Sequence, residues 1–192
     1  TLQRYFMLTV TYNIKKFKIV VDPANAMGCI FVKELFKKIP GDVIMINDTL
    51  DGTFPAHQPD PLQASTLVDL QKRVVVEKAD LGLAPDGDGD RLFFIDDKGN
   101  VVPPPIITSI VAKDFLKRYK GEKILIDIRY ILNPQRIIKE SGGEMQITKV
   151  GHAYITESMN RSGGIFAGES SGHYFFRETG NSESQMPIIL TI

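Results

Sequence analysis

Apolar positions along this chain fall into short runs that alternate between two spacings. Phe17–Val21 is a compact apolar run and predicts a strand that stops at Asp22-Pro23. After Asn25–Gly28, apolar residues recur at helical spacing over Ile30–Ile39, up to Pro40-Gly41. Asp42–Ile46 predicts a short strand, and Asn47–Pro61, with its prolines and weak periodicity, a long loop. Leu62–Lys78 predicts a helix, although Val74-Val75-Val76 could fray it or extend into a strand. Leu81–Ala84 and Arg91–Asp96 predict strands, followed by a turn at Asp97-Lys98-Gly99-Asn100.

The alternation then starts again. Pro105–Tyr119 predicts a helix and Lys123–Ile128 a strand. Asn133 is positioned as an N-cap with Pro134 at the first helical position, for a helix running through Glu140 and ending at Gly142-Gly143. Glu144–Val150 predicts a strand, Ala153–Asn160 a helix, Ile165–Ala167 and Tyr174–Arg177 strands. Gly180–Ser184 is polar, and Met186–Ile192 is an apolar stub. Strands alternating with helices predict α/β layers. The turn near Asp97–Val102 divides the chain into two units, residues 1–98 and 99–192. The apolar stub at the end and the Thr1 start lead us to expect a piece of something longer.

Composition narrows the partners. The net charge is zero, so nothing points to nucleic acid or an acidic membrane surface. No apolar run approaches the roughly 18–20 residues that cross a bilayer, and the first residues lack a signal-peptide layout. The single Cys29 excludes an intrachain disulfide and a thiolate zinc site. It reads as a small buried apolar residue in a reducing, cytoplasmic compartment.

The chemistry concentrates in Asp86-Gly87-Asp88-Gly89-Asp90-Arg91. Side chains at alternate positions of an extended backbone project to one side, so the three carboxylates can converge. Converging carboxylates repel unless a cation lies between them, and an all-oxygen set favours Mg²⁺ or Ca²⁺. Arg91 suits a phosphate oxygen beside that cation. A turn of solvated carboxylates uses the same residue types. An EF-hand fits poorly: Arg91 stands where its glycine belongs, and Asp97 where its glutamate belongs. A dehalogenase-type Asp-x-Asp site also fits poorly, because Arg91-Leu92 follow Asp90.

Gly168-Glu169-Ser170-Ser171-Gly172-His173 gathers an acceptor, two hydroxyls and an imidazole into one turn, a set able to read vicinal sugar hydroxyls. A polar turn between strands is the plainer alternative. His152, in Val150-Gly151-His152, can serve as a helix-start or packing residue, and Arg129 as a surface charge at a strand end.

Together these segments resemble the α-D-phosphohexomutase family, in the bacterial phosphomannomutase/phosphoglucomutase group. The matching stretches are Val21–Gly28, Asp51-Gly52-Thr53-Phe54-Pro55 with Pro59-Asp60-Pro61, Asp86–Arg91, Gly151-His152 and Gly168–His173, in the family's order. The resemblance implies two tandem three-layer α/β/α domains with mixed sheets, the second and third of four around one cleft. It implies an enzyme that interconverts hexose 1-phosphate and hexose 6-phosphate, of mannose or glucose, through a phosphoserine. Asp86, Asp88 and Asp90 would hold Mg²⁺, and Arg91 would lie beside the phosphoserine. Glu169 and Ser171 would hold sugar hydroxyls, with His173 near the reacting end and Arg129 and His152 lining the cleft. The family's Thr-Ala-Ser-His-Asn-Pro-like segment and its phosphate-gripping fourth-domain loop find no match here, Arg161-Ser162-Gly163-Gly164 included. Arg129 stands where some members have Lys, Ile131 where a small polar residue is usual, and Pro85 is atypical. A non-catalytic sugar-phosphate-binding module and a metal-dependent sugar phosphatase remain alternatives.

Overall fold

A computed structural model describes residues 15–192. They form two compact units that meet between Val102 and Pro103. Each is an α/β/α domain around a mixed five-stranded sheet.

The first unit runs β1 (Lys18–Val21), α1 (Gly28–Phe36), β2 (Asp42–Met45), a 3₁₀ turn (Ala64–Leu67), α2 (Val68–Glu77), β3 (Leu81–Pro85), β4 (Leu92–Ile95) and β5 (Val101–Val102). The sheet order is β2-β1-β3-β4-β5. β1 pairs in parallel with β2 and β3, whereas β3–β4 and β4–β5 are antiparallel. The second unit runs α3 (Pro104–Arg118), β6 (Lys123–Asp127), α4 (Leu132–Glu140), β7 (Glu144–Thr148), α5 (His152–Ser162), β8 (Phe166–Gly168), β9 (Tyr174–Phe176), a 3₁₀ turn (Arg177–Thr179), β10 (Ser182–Glu183) and α6 (Met186–Thr191). Its order, β10-β9-β8-β6-β7, repeats the first unit's topology strand for strand.

The central strands are buried on both faces, which is why they read as continuous apolar runs rather than alternating ones. Val20, Ala84, Phe93 and Ile95 face Leu70 and Val74 of α2. Leu125, Ala167 and Phe175 face Ile155 and Met159 of α5. On the second sheet's other face Phe115 of α3 packs on Phe166 and Phe176, with ring centroids 5.8 and 5.6 Å away.

Several boundaries differ from the sequence pattern. The Val74-Val75-Val76 run stays helical, because one turn of α2 brings Val74 fully inside and leaves Val76 74% exposed. That helix starts as a 3₁₀ turn and becomes α only at Val68, and Lys78 closes it in the left-handed conformation. Asn133 is not the N-cap of α4. The helix starts at Leu132, the Gln135 amide already donates to the Ile131 carbonyl, and Asn133 Nδ2 donates to Ser109 Oγ (3.4 Å). Pro134 is tolerated because amides of the first turn need no helical acceptor. β5 and β10, two residues each, are too short to leave a periodic signal, and the apolar stub is α6. Among the described residues no helix is long and apolar enough to cross a membrane.

Candidate functional site

In each unit the loop that joins the third strand to the fourth carries the polar chemistry. β3 and β4 are antiparallel with Pro85 opposite Leu92, so Asp86–Arg91 must reverse the chain. The segment is therefore not extended, as alternation had implied. It curls, with Gly89 at φ +81°, a conformation that favours glycine, and the Asp86 amide donates to the Arg91 carbonyl (3.2 Å).

The curl brings one oxygen from each of Asp86, Asp88 and Asp90 within 4.8 Å of one another. Asp86 is 2% exposed, and its Oδ1 accepts the amides of Gly89 (3.1 Å) and Arg91 (3.0 Å). Burial pushes its pKa up to about 6, and the charges of Asp90 and Asp88 add to the rise. The Arg91 guanidinium lies between carboxylates, with Nε 3.0 Å from Asp86 Oδ2 and Nη1 3.4 Å from Asp60 Oδ1. Three hard oxygen donors, one of them on a carboxyl raised by burial and by its two neighbours, form a set that a divalent cation fits.

The second loop closes more tightly: the Glu169 amide donates to the His173 carbonyl (2.9 Å) and the Gly172 amide to that of Glu169 (3.0 Å). Glu169 does not stand out from this turn, being only 3% exposed. Its Oε1 accepts the Gly151 amide (2.9 Å) and Arg129 Nη2 (3.3 Å), and its Oε2 lies 2.8 Å from His173 Nδ1. Burial alone would raise the Glu169 pKa. The hydrogen bonds from His173 and the Gly151 amide outweigh it and hold the carboxyl below its usual range. A carboxylate only accepts, so His173 carries its proton on Nδ1. Ser171 Oγ lies 2.9 Å from that same nitrogen. One nitrogen meets both groups, so the ring cannot relay a proton between serine and glutamate as a catalytic triad does.

Asp127, at the end of β6, ties the loop down. It is 2% exposed. Oδ1 accepts the Arg129 amide (2.7 Å), and Oδ2 accepts the Ser170 amide (2.6 Å), Ser170 Oγ (2.8 Å) and Arg129 Nη2 (2.9 Å). Arg129 thus bridges two buried acids. The structure joins Arg129, Glu169, Ser171 and His173 in one hydrogen-bonded cluster. The His152 ring instead leans toward Glu183, with Nδ1 3.2 Å from Oε1, and only its neighbour Gly151 touches Glu169.

The sequence reading missed Asp127, and in the first unit Asp22 and His57. Asp22 directly follows β1 where Asp127 is the last residue of β6, and it accepts the Ala24 amide (3.0 Å) as Asp127 accepts that of Arg129. An acid immediately after an apolar strand was the available signal; its burial is a tertiary fact.

Residues 4–99 match the model of the phosphoglucomutase/phosphomannomutase α/β/α domain II, and residues 104–186 that of domain III. A phosphomannomutase of Methanocaldococcus jannaschii is 41% identical over 169 residues, covering 88% of this chain and 38% of that protein. A phosphomannomutase/phosphoglucomutase of Pseudomonas syringae pv. tomato is 40% identical, covering 85% and 35%. A crystal structure of a phosphoglucomutase/phosphomannomutase family protein from Burkholderia thailandensis superposes with a TM-score of 0.90 at 30% identity, over 98% of this chain and 42% of that one. The chain therefore spans somewhat over a third of the length of these curated relatives. Two successive domain models, matched in order on a doubled 2-1-3-4-5 sheet, place the chain in the phosphoglucomutase/phosphomannomutase family as its domains II and III.

Proposed function

We propose that this chain supplies the metal loop and the sugar-reading loop of a phosphohexomutase. The enzyme would interconvert hexose 1-phosphate and hexose 6-phosphate, of mannose or glucose, through a phosphoserine carried outside this chain. The observation that carries the reading is the approach of Asp86, Asp88 and Asp90 oxygens to within 4.8 Å of one another beside Arg91.

In this reading Asp86, Asp88 and Asp90 hold Mg²⁺. Bound there, the ion supplies positive charge and Lewis acidity at a phosphoryl oxygen. Arg91, held by Asp86 and Asp60, aims a fixed donor toward the same phosphate. Phosphoryl transfer spreads charge over equatorial oxygens, so positioning and positive charge do most of the work. Glu169 and Ser171 bind sugar hydroxyls, and His173, oriented through Nδ1 by Glu169, stands near the reacting end. Arg129 acts chiefly by holding Glu169 and Asp127 together, and His152 lies at the rim. A carboxylate and a hydroxyl suit a sugar that must bind in two orientations, because neighbouring equatorial hydroxyls look alike after a half-turn.

Titration calorimetry tests the metal assignment. Asp88→Asn removes one ligand charge and should weaken Mg²⁺ binding at least about tenfold. Unchanged affinity would remove Asp88 from the metal set. In a polypeptide that also carries the remaining family domains, the same change should lower turnover at limiting Mg²⁺.

A further inference from the structure

His57 has no place in the reading above, yet its surroundings are unusually specific. It lies in the long segment between β2 and the Ala64–Leu67 turn. Its Nδ1 is 2.9 Å from the Gln58 carbonyl oxygen, and its Nε2 is 3.1 Å from Asp22 Oδ2. Both facing atoms, a carbonyl and a carboxylate, accept only. A neutral imidazole has a single N–H and can satisfy one of them. An imidazolium satisfies both, and gives the 2%-exposed side chain of Asp22 a cationic partner.

Asp22 also accepts Asn47 Nδ2, 3.0 Å from Oδ1 and 3.2 Å from Oδ2, so one buried carboxylate grips this segment at both Asn47 and His57. The residues just after His57 reach the metal loop. Pro59 packs over Gly87, where a Cβ would stand only 3.2 Å from Pro59 Cγ. Asp60 Oδ1 meets Arg91 Nη1 at 3.4 Å. Pro59 and Asp60, directly after the His57–Gln58 pair, are the part of this segment against which the Asp86–Arg91 loop rests.

We infer that His57 is a positioning residue held as an imidazolium, pinning residues 57–60 to Asp22 so that the Asp86–Arg91 loop keeps its carboxylates gathered. The inference rests on the metal reading above only for its effect on ion binding. The charged groups facing the ring agree with it. Asp22 directly follows β1, Asp69 lies in the first turn of α2 and adds a weaker attraction, and Asp60 lies in the same segment with Arg91 as its counter-ion. Burial alone would lower the His57 pKa; the Gln58 carbonyl and Asp22 outweigh it and raise it. A raised histidine stabilises below its ordinary value and loses that contribution as pH rises through the folded value.

The chain itself serves for the test. Its three histidines give resolvable imidazole signals in ¹⁵N-edited NMR, and His57→Gln assigns the one of interest. The expected result at pH 7 is a His57 ring with both nitrogens protonated, titrating above the ordinary histidine range. His57→Gln should lower the exchange protection of the Asp60 and Arg91 amides about tenfold, the loss of one charge-assisted hydrogen bond. It should also weaken Mg²⁺ binding, read by calorimetry, about tenfold. A neutral ring at pH 7 overturns the inference, and so does unchanged protection with unchanged affinity. If the wild-type chain takes up no Mg²⁺, the metal reading fails, while titration and protection still decide the pin. Should the variant not fold, the wild-type chain decides: protection at these amides must fall as pH rises through the His57 titration, and constant protection refutes the pin.

Discussion

Replacing Asp127 by Asn changes no volume and removes one charge, so its cost isolates what the carboxylate does. Oδ1 takes the Arg129 amide, and Oδ2 takes the Ser170 amide, the Ser170 hydroxyl and Arg129 Nη2. Whichever way a side-chain amide is turned, its NH₂ faces a backbone N–H. The variant loses at least one hydrogen bond to a charged acceptor and leaves a buried donor facing another donor. The Arg129 side chain, 42% exposed, can turn to water and is not counted. Hydrogen bonds to charged groups contribute about 1.5–3 kcal/mol and do not add simply, so about 3 kcal/mol is expected. For a unit of about 90 residues this lowers the melting temperature by roughly 12–24 °C. Differential scanning calorimetry is the assay, because it separates the transitions of the two units. The pH dependence supplies a second arm. Burial alone would raise the Asp127 pKa, but hydrogen bonds from the Arg129 side chain and from Ser170 hold it below the usual carboxylate range. A depressed carboxylate stabilises above its unfolded value of about 3.9 and loses that contribution as pH falls through the folded value. The gap between wild type and variant should therefore be full at pH 7 and close in acid. A fall of less than about 4 °C at pH 7, or a gap that ignores pH, would refute the anchoring role.

The first unit should show the opposite sign. The Asp86 pKa, raised to about 6, gives a contribution present below about pH 4 and lost as pH rises through about 6. In EDTA the first transition should drop over that window, and Mg²⁺ should raise it more at pH 7 than at pH 5; equal shifts at both pH values would contradict the raised Asp86 carboxyl. Gly168→Ala tests how closely the start of the Gly168–His173 loop approaches α3. A Cβ at Gly168 runs into the Thr108 side chain, with even its Cβ only 2.8 Å away, and Thr108 is itself buried. Overpacking of this kind costs about 1–3 kcal/mol, so the second transition should fall by several degrees, and an unchanged one would show that the loop has room to move.

The alternation of apolar runs was enough to lay out the main strands and helices, because strands buried on both faces and amphipathic helices leave different spacings. It failed where an element is short or where packing overrides local preference. β5 and β10 have two residues each, whereas the valine triplet stays in the helix that the spacing predicts, because Val74 packs inward from it. Asn133 has a capping side chain, yet Leu132 starts α4 and the amide reaches across to Ser109 on α3.

The candidate site divides the same way. Asp86, Asp88, Asp90, Glu169, Ser171 and His173 stand out in the sequence because several polar groups crowd into glycine-bounded turns, a density that only ligand chemistry or a solvated loop requires. Residue order and residue type alone settled which loops could carry chemistry. Which side chains support them was decided by the folded chain. Asp127 lies 42 residues before Glu169, and Asp22 lies 35 before His57. Nothing local distinguishes either acid from a surface charge at a strand end. Only the folded sheets, with β6 paired to β8 and β1 lying between β2 and β3, bring each acid to its distant partners and strip it of water. A carboxylate in that position must find donors: Asp127 finds the backbone and side chains of Arg129 and Ser170, and Asp22 the Ala24 amide, Asn47 and His57.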